Sequence, residues 1–217
     1  MWALRPECSR RLPGDALVAS PLSSPTQAIT IGRPPRAVWP WLVQMGAGRA
    51  GWYSYDFIDN GGQPSADRII PALQQVRVGD LFPALPGVRE GFTVLRVDPE
   101  RLLVLGWVPP GQRRPVMTWA FALKEPTPET TRLIVRARAG EGYRPSIGVP
   151  DWTIGTFTAW GHRLMQQKQL LGIARRAEAG APVTGSRLHE EDFIPASSCR
   201  SAGRSRMRLQ ATVRSAF

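Results

Sequence analysis

The chain is predicted to adopt an α+β fold: one curved antiparallel sheet of about six strands around a long C-terminal helix, with two short helices after the first strand. Three observations carry this. Segments of alternating hydrophobicity crowd the middle of the 217-residue chain and fall in pairs separated by turn chemistry. One stretch near the start and a long one ending near residue 180 keep a helical period instead. No strand–helix–strand repeat occurs of the kind a parallel sheet requires.

Taken in order, "TQAITI" (Thr26–Ile31) alternates and is bounded by Gly32 and two prolines, so it reads as a strand. Pro34 and Pro35 suit a helix start, and Val38, Trp41, Leu42 and Met45 then share one helical face. Pro40 distorts this helix least near its first turns, and Gly46 stops it. "SYDFIDNGG" is a short second helix with Ser54 as N-cap and Gly61-Gly62 as its end. A further short turn falls within Asp67–Gln75. "RVGDLFPAL" is a strand that Pro83 marks as an edge or a bend. "GFTVLRV" and "RLLVLGWV" flank Asp98-Pro99-Glu100 and form a hairpin. "VMTWAFALK" and "TRLIVRARA" form another around a loop over Glu125–Thr130. Trp119, Phe121 and Leu123 share one face, as do Leu133, Val135 and Ala137, opposite Arg132, Arg136 and Arg138. Such strands bury one face, which leaves Arg136 in solvent. "DWTIGTFTAWGHRLMQQKQLLGIARRAEA" is the long amphipathic helix, with Trp160, Leu164, Lys168 and Leu171 at helical spacing and Arg175 and Arg176 near its C-terminal end.

Around this domain (residues 26–179), residues 1–25 read as an irregular, proline-punctuated lead-in. Residues 180–217 read as a disordered or loosely attached basic tail. A chain of this length with 42% hydrophobic residues holds a substantial core. No apolar run reaches the roughly 20 residues of a transmembrane helix, and the N-terminus lacks a signal-peptide pattern; the cytoplasm is the default location. Cys8 and Cys199 give no C-x-x-C pair and no disulfide framework, and with His162 and His189 as the only histidines no metal site is expected. The net charge of +11 raises nucleic acid as a partner, but the arginines are scattered singly along strands and loops.

Gly46, Gly48 and Gly51 spell G-x-G-x-x-G, the dinucleotide fingerprint, whose mechanics need a parallel strand before it and a crossover helix after it. Here a proline-led helix precedes it and a Gly-Gly pair soon follows, so the glycines read as a helix stop and an irregular corner. No dinucleotide or other cofactor is expected.

The block "RAVWPWLVQMGAGRAGWYSYDFIDN" closely resembles a segment found in bacterial members of the SRPBCC (START/Bet v 1-like, helix-grip) superfamily. "RRLPGDALV", "GFTVLRVDPERLLVLGW" and "LLGIARRAE" are similar to the same branch, so the resemblance spans roughly Arg10–Ala179; residues 181–217 have no counterpart in it. It implies a sheet gripping the C-terminal helix, with a cavity between them that takes lipids, sterols, polyketides or other apolar molecules. Carriers, cyclases and co-chaperone-like modules share this fold.

Candidate residues follow. Trp107 and Trp119 sit on successive strands, and Trp152 and Trp160 enter from the last helix; they read as pocket wall or core. Trp41 and Gln44 come from the first helix, and Gln44 either orients a ligand or bonds the following loop. Arg49 pairs an acidic ligand or Asp56, or staples the corner by a local salt bridge, the commoner role of charged loop residues. Tyr53, Tyr55 and Asp56 could serve as ligand contacts or as acid–base groups of a polyketide cyclase or dehydratase; the packing alternative has Trp52, Tyr53 and Phe57 plugging the helix–sheet seam. His162 alone makes no catalytic constellation. The function read from these residues is binding of a small apolar ligand by a carrier or sensor. The enzyme and an anionic-surface accessory using the arginine-rich tail are the alternatives.

Overall fold

The computed structural model describes residues 3–143 and 157–180, of which the side chains of residues 157–160 and 162 are left aside. The elements are α1 (Arg5–Ser9), β1 (Thr26–Ile31), α2 (Pro35–Val43), α3 (Asp56–Asp59), β2 (Leu81–Pro83), β3 (Gly91–Asp98), β4 (Leu102–Trp107), β5 (Met117–Thr127), β6 (Thr130–Ala139) and α4 (Phe157–Ala179), with 3-10 turns at Asp15–Leu17 and Pro71–Leu73. The six strands form one sheet in the order β1-β6-β5-β4-β3-β2, every neighbouring pair antiparallel. The first strand thus lies beside the last, and α4 lies across β1 and α2. This is the helix-grip arrangement.

β1 begins and ends where its alternation does. α2 starts on Pro35, whose missing amide is one the first turn could not have used. Pro40 lies inside it, and the carbonyl it leaves without an amide belongs to Arg36, an exposed residue. Val38, Trp41 and Leu42 form its buried face, and Met45, expected on the same helix, is buried just past its end. α3 departs from expectation: Tyr55 is its N-cap, because the Ser54 hydroxyl donates to the Met165 carbonyl of α4 at 3.1 Å instead of capping. β2 is an edge strand of three residues ending on Pro83. The β5–β6 hairpin is tighter than the sequence suggests, its strands running on to Thr127 and from Thr130, whose hydroxyls meet at 2.7 Å.

The inner face of the sheet carries Val94, Leu103, Leu105, Trp119, Phe121, Leu133 and Val135, which pack with α2 and with Leu170, Ile173, Ala174 and Ala177 of α4. The outer face is also covered. Leu12, Ala28, Leu102, Val104, Ala120, Ala122 and Ile134 form a second core beneath residues 3–25. Hence the one-buried-face expectation fails for β4 and β5, buried on both sides along most of their length.

The arginines of β6 hold this N-terminal strap. Arg136, expected in solvent, is 4% exposed. Its guanidinium donates to the Thr26 hydroxyl, to Asp15 at 2.7 Å, and to the backbone carbonyls of Glu7, Cys8 and Arg10. Arg132 makes a two-pronged ion pair with Glu7, both contacts at 2.9 Å. Arg138 donates to the Val18 carbonyl. Cys8 lies in this strap, and Cys199 lies outside the described residues.

The buried face of α4 also differs from the one expected. Leu164 and Leu171 are exposed, whereas Gln166, Gln169, Leu170, Ile173, Ala174 and Ala177 face the sheet. The expected start at Asp151 lies outside the described residues. Among the described residues no helix is long and apolar enough to cross a membrane.

Candidate functional site

The expected site residues fall into two groups. The first surrounds the glycine corner after α2. Gly46, Gly48 and Gly51 all have positive φ, and the first and last exchange backbone hydrogen bonds at 3.1 and 3.0 Å, closing the loop on itself. Gly48 N–H donates to Asn60 and Arg49 N–H to the Gly46 carbonyl, so the loop's amides serve its own closure rather than a phosphate cradle.

Gln44, fully buried, uses its whole hydrogen-bonding capacity within the protein. Its amide N–H groups donate to the Tyr53 hydroxyl at 2.8 Å and the Arg68 carbonyl at 3.1 Å. Its oxygen accepts from Ile70 N–H and the Gln74 amide. Of the two readings of Gln44, the structure therefore displays the loop-organising one. Arg49 makes no ion pair with Asp56: it donates to the Val43 and Met45 carbonyls, capping the end of α2, and its guanidinium lies 4.6 Å over the Phe82 ring. Burial lowers its pKa, with Asp80 acting in the opposite sense.

Tyr53 adopts a left-handed backbone at φ 59°, costly for an aromatic residue unless its surroundings impose it. They do. Trp41 meets its ring edge-on, the Arg176 guanidinium lies 4.6 Å over it, and its N–H donates to the Ser65 hydroxyl. Burial pushes its phenol up to about 12, so it stays protonated near neutrality. Asp56 accepts from both the N–H and the hydroxyl of Ser65. Tyr55, by contrast, is half-exposed and has Lys168 5.8 Å from its ring.

Near these lies a carboxyl the sequence did not single out. Asp59 is 6% exposed and neither of its oxygens has a hydrogen-bond partner. Burial, with the neighbouring Asp56 charge, pushes its pKa up to about 7. The Ser54 hydroxyl lies close enough to restrain that rise, but its proton is committed to the Met165 carbonyl.

The second group is aromatic and occupies the end of the grip formed by β3, β4 and β5. Trp52 stacks on Trp119 with centroids 5.5 Å apart, and Phe92 meets Trp52, Trp119 and Trp107 at 5.7, 5.3 and 5.4 Å. Trp107 meets Tyr143 at 6.2 Å, and Phe121 continues the group from Trp119. The polar groups here satisfy one another. The Trp119 indole N–H donates to Gln166 at 2.7 Å, Gln166 donates to Gln169, and Gln169 to the Met45 sulfur. Trp107 is only partly buried and also walls an open cleft of about 330 Å³, whose other sides are Leu81, Arg89–Gly91, Thr93, Val108–Pro110 and Gly142.

The structure thus unites Trp41, Gln44 and Tyr53 at the corner, with Arg49 nearby on Phe82, and places Trp107 and Trp119 in the aromatic group. Trp152 and the side chains of Trp160 and His162 lie outside what is described. Phe92, Tyr143, Gln166 and Gln169 were missed. The spacing of Gln166, Leu170, Ile173 and Ala177 is itself a helical stripe and was the signal available for the glutamines. Among the described residues no group of three or more His, Cys, Asp or Glu is placed to hold a metal.

No family model and no curated protein matches this chain. Among solved structures it is similar to protein MLL2253 from Mesorhizobium loti, with 18% identity and a TM-score of 0.43 over 74% of this chain and 100% of that one. It is also similar to EF2215 from Enterococcus faecalis, described as a conserved protein of unknown function, with 16% identity and a TM-score of 0.40 over 73% and 74%. A third is the Zhui aromatase/cyclase from Streptomyces sp. R1128, with 17% identity and a TM-score of 0.40 over 74% and 99%. Identities this low transfer no residue roles between chains.

Proposed function

We propose that this chain is a helix-grip binding domain for a small, planar, largely apolar molecule, taken up in the open cleft that Trp107 walls beside the aromatic group. The observation that carries the reading is Trp107. Its ring belongs to the connected aromatic group through Phe92 and Tyr143 and also walls the open cleft. A volume of about 330 Å³ sits at the small end of the roughly 300–1,000 Å³ usual for ligand sites. Trp107 is the one aromatic ring among the residues lining the cleft, so ring contact with a planar ligand falls to it, while Arg89 and Glu90 supply the charged part of the wall.

This reading is better supported than the cyclase or dehydratase alternative. Asp56 is committed to Ser65, and Tyr53 is lodged at the corner with its hydroxyl on Gln44. The alternative that uses the arginine-rich tail falls on residues outside the description.

The test is calorimetric titration of the full chain with 1-naphthol, a neutral planar probe, beside native mass spectrometry of the freshly purified protein. Binding is expected, with Trp107→Ala weakening it about tenfold or more, the scale of losing one large ring contact. Equal affinity for wild type and Trp107→Ala, or no heat together with a native mass equal to the denatured mass, would overturn the reading.

A further inference from the structure

One surface of the molecule carries exposed apolar side chains that no other described residue covers. α3 and the preceding residue present Tyr55, Phe57 and Ile58 to solvent, with Phe57 89% exposed. α4 presents Leu164, Lys168, Leu171 and Arg175, which fall within one narrow stripe at i, i+4, i+7 and i+11, opposite the face packed on the sheet. The two surfaces adjoin: the Ser54 hydroxyl bonds the Met165 carbonyl and Lys168 lies over the Tyr55 ring.

We infer that this face docks on an anionic lipid surface, independently of the ligand reading above. Phe57 and Ile58 project from a four-residue helix, the shape of groups that insert between lipid headgroups. The basic residues complement anionic headgroups: Lys168 and Arg175 lie on the α4 stripe, Glu178 that follows them accepts from Gly32 N–H, Asp56 beside it is tied to Ser65, and Asp59 is buried. A second copy of the chain would bring the same positive stripe against it, on a molecule of net charge +11, so charge opposes self-association through this face.

The test is co-sedimentation of the full chain with vesicles of phosphatidylcholine alone and of phosphatidylcholine mixed with phosphatidylglycerol in equal parts. Binding is expected to the anionic vesicles and not to the neutral ones. Phe57→Asp and Lys168→Glu should each lower the partition coefficient, Phe57→Asp by about tenfold. Both side chains lie outside the core, so the melting temperature of each variant should match wild type. Failure of the wild type to sediment with anionic vesicles would overturn the inference. So would sedimentation that neither variant weakens, which would place the contact elsewhere on the basic chain. A dimer in lipid-free buffer that Phe57→Asp breaks would assign the face to a second copy and overturn it equally.

Discussion

Five hydrogen bonds leave the Arg136 guanidinium, and four of its acceptors belong to other parts of the chain's first half: Asp15 and three backbone carbonyls of the strap. A charge 96% removed from solvent is tolerated only when paired and bonded in this way, and removing it strands the groups that received its protons. Arg136→Met is therefore expected to destabilise the fold by roughly 3 kcal/mol, the low end for breaking a buried pair, since Asp15 retains some access to water. Urea unfolding would show this as a lowered midpoint at unchanged slope. A loss below about 1 kcal/mol would mean that the strap is held by its apolar contacts alone. The Arg132–Glu7 pair, though two-pronged, is more exposed, and Arg138 stands 3.9 Å from Asp15; neither equals Arg136.

At the scale of elements, α4 shows what was readable in the sequence and what was not. Strands β1 and β3–β6 and helix α2 were legible because each carries a clean period and ends in turn chemistry. α4 was legible as a helix, but its orientation was not. Its leucines at 164 and 171 face solvent while Gln166 and Gln169 face the core, because Trp119 and Met45 supply their partners from elsewhere in the fold. Hydrophobic spacing cannot anticipate a partner brought in by tertiary structure, and Arg136 was misplaced for the same reason; Asp59 was overlooked because its burial comes from packing around the corner and leaves no local pattern. The tryptophans at 107 and 119 were legible as wall or core, since large rings in a small domain seldom go uncovered. Two glycines of α4 turn this packing into a paired test. A Cβ on Gly172 would run into the Tyr53 carbonyl, whereas one on Gly161 meets nothing within 4 Å. Gly161→Ala should stabilise by up to about 1 kcal/mol through helix propensity. Gly172→Ala should destabilise by roughly 1–3 kcal/mol, because backbone cannot give way as a side chain can. Thermal melts of the two variants should therefore move in opposite directions. A stabilising Gly172→Ala would show that α4 does not approach the corner this closely.

For the molecule as a whole, two carboxyls in different parts of the structure shape stability against pH in opposite senses. Glu7 lies in the strap, where burial would raise its pKa but the Arg132 hydrogen bond, the Leu4 N–H and nearby positive charge together hold it below its ordinary value. Its contribution is present above its unfolded value of 4.5 and lost as pH falls through the lowered folded value. Asp59 behaves in reverse. Its folded pKa of about 7 stands above the ordinary 3.8, so between these values the folded state keeps a proton that the unfolded chain has released. Stability then falls by about 1.4 kcal/mol per pH unit across much of that window and levels off above it. The two effects together put the stability maximum on the acid side of neutrality, above the range where Glu7 protonates. Unfolding free energies measured from pH 4 to pH 9 should show this maximum. Asp59→Asn should remove most of the decline toward neutral pH while changing little near pH 4. Glu7→Gln should lower stability near neutrality and flatten the loss at acid pH. Were Asp59→Asn to keep the wild-type slope between pH 5 and pH 7, Asp59 would be ionised in the fold, and its burial without partners would need water or a cation to satisfy it.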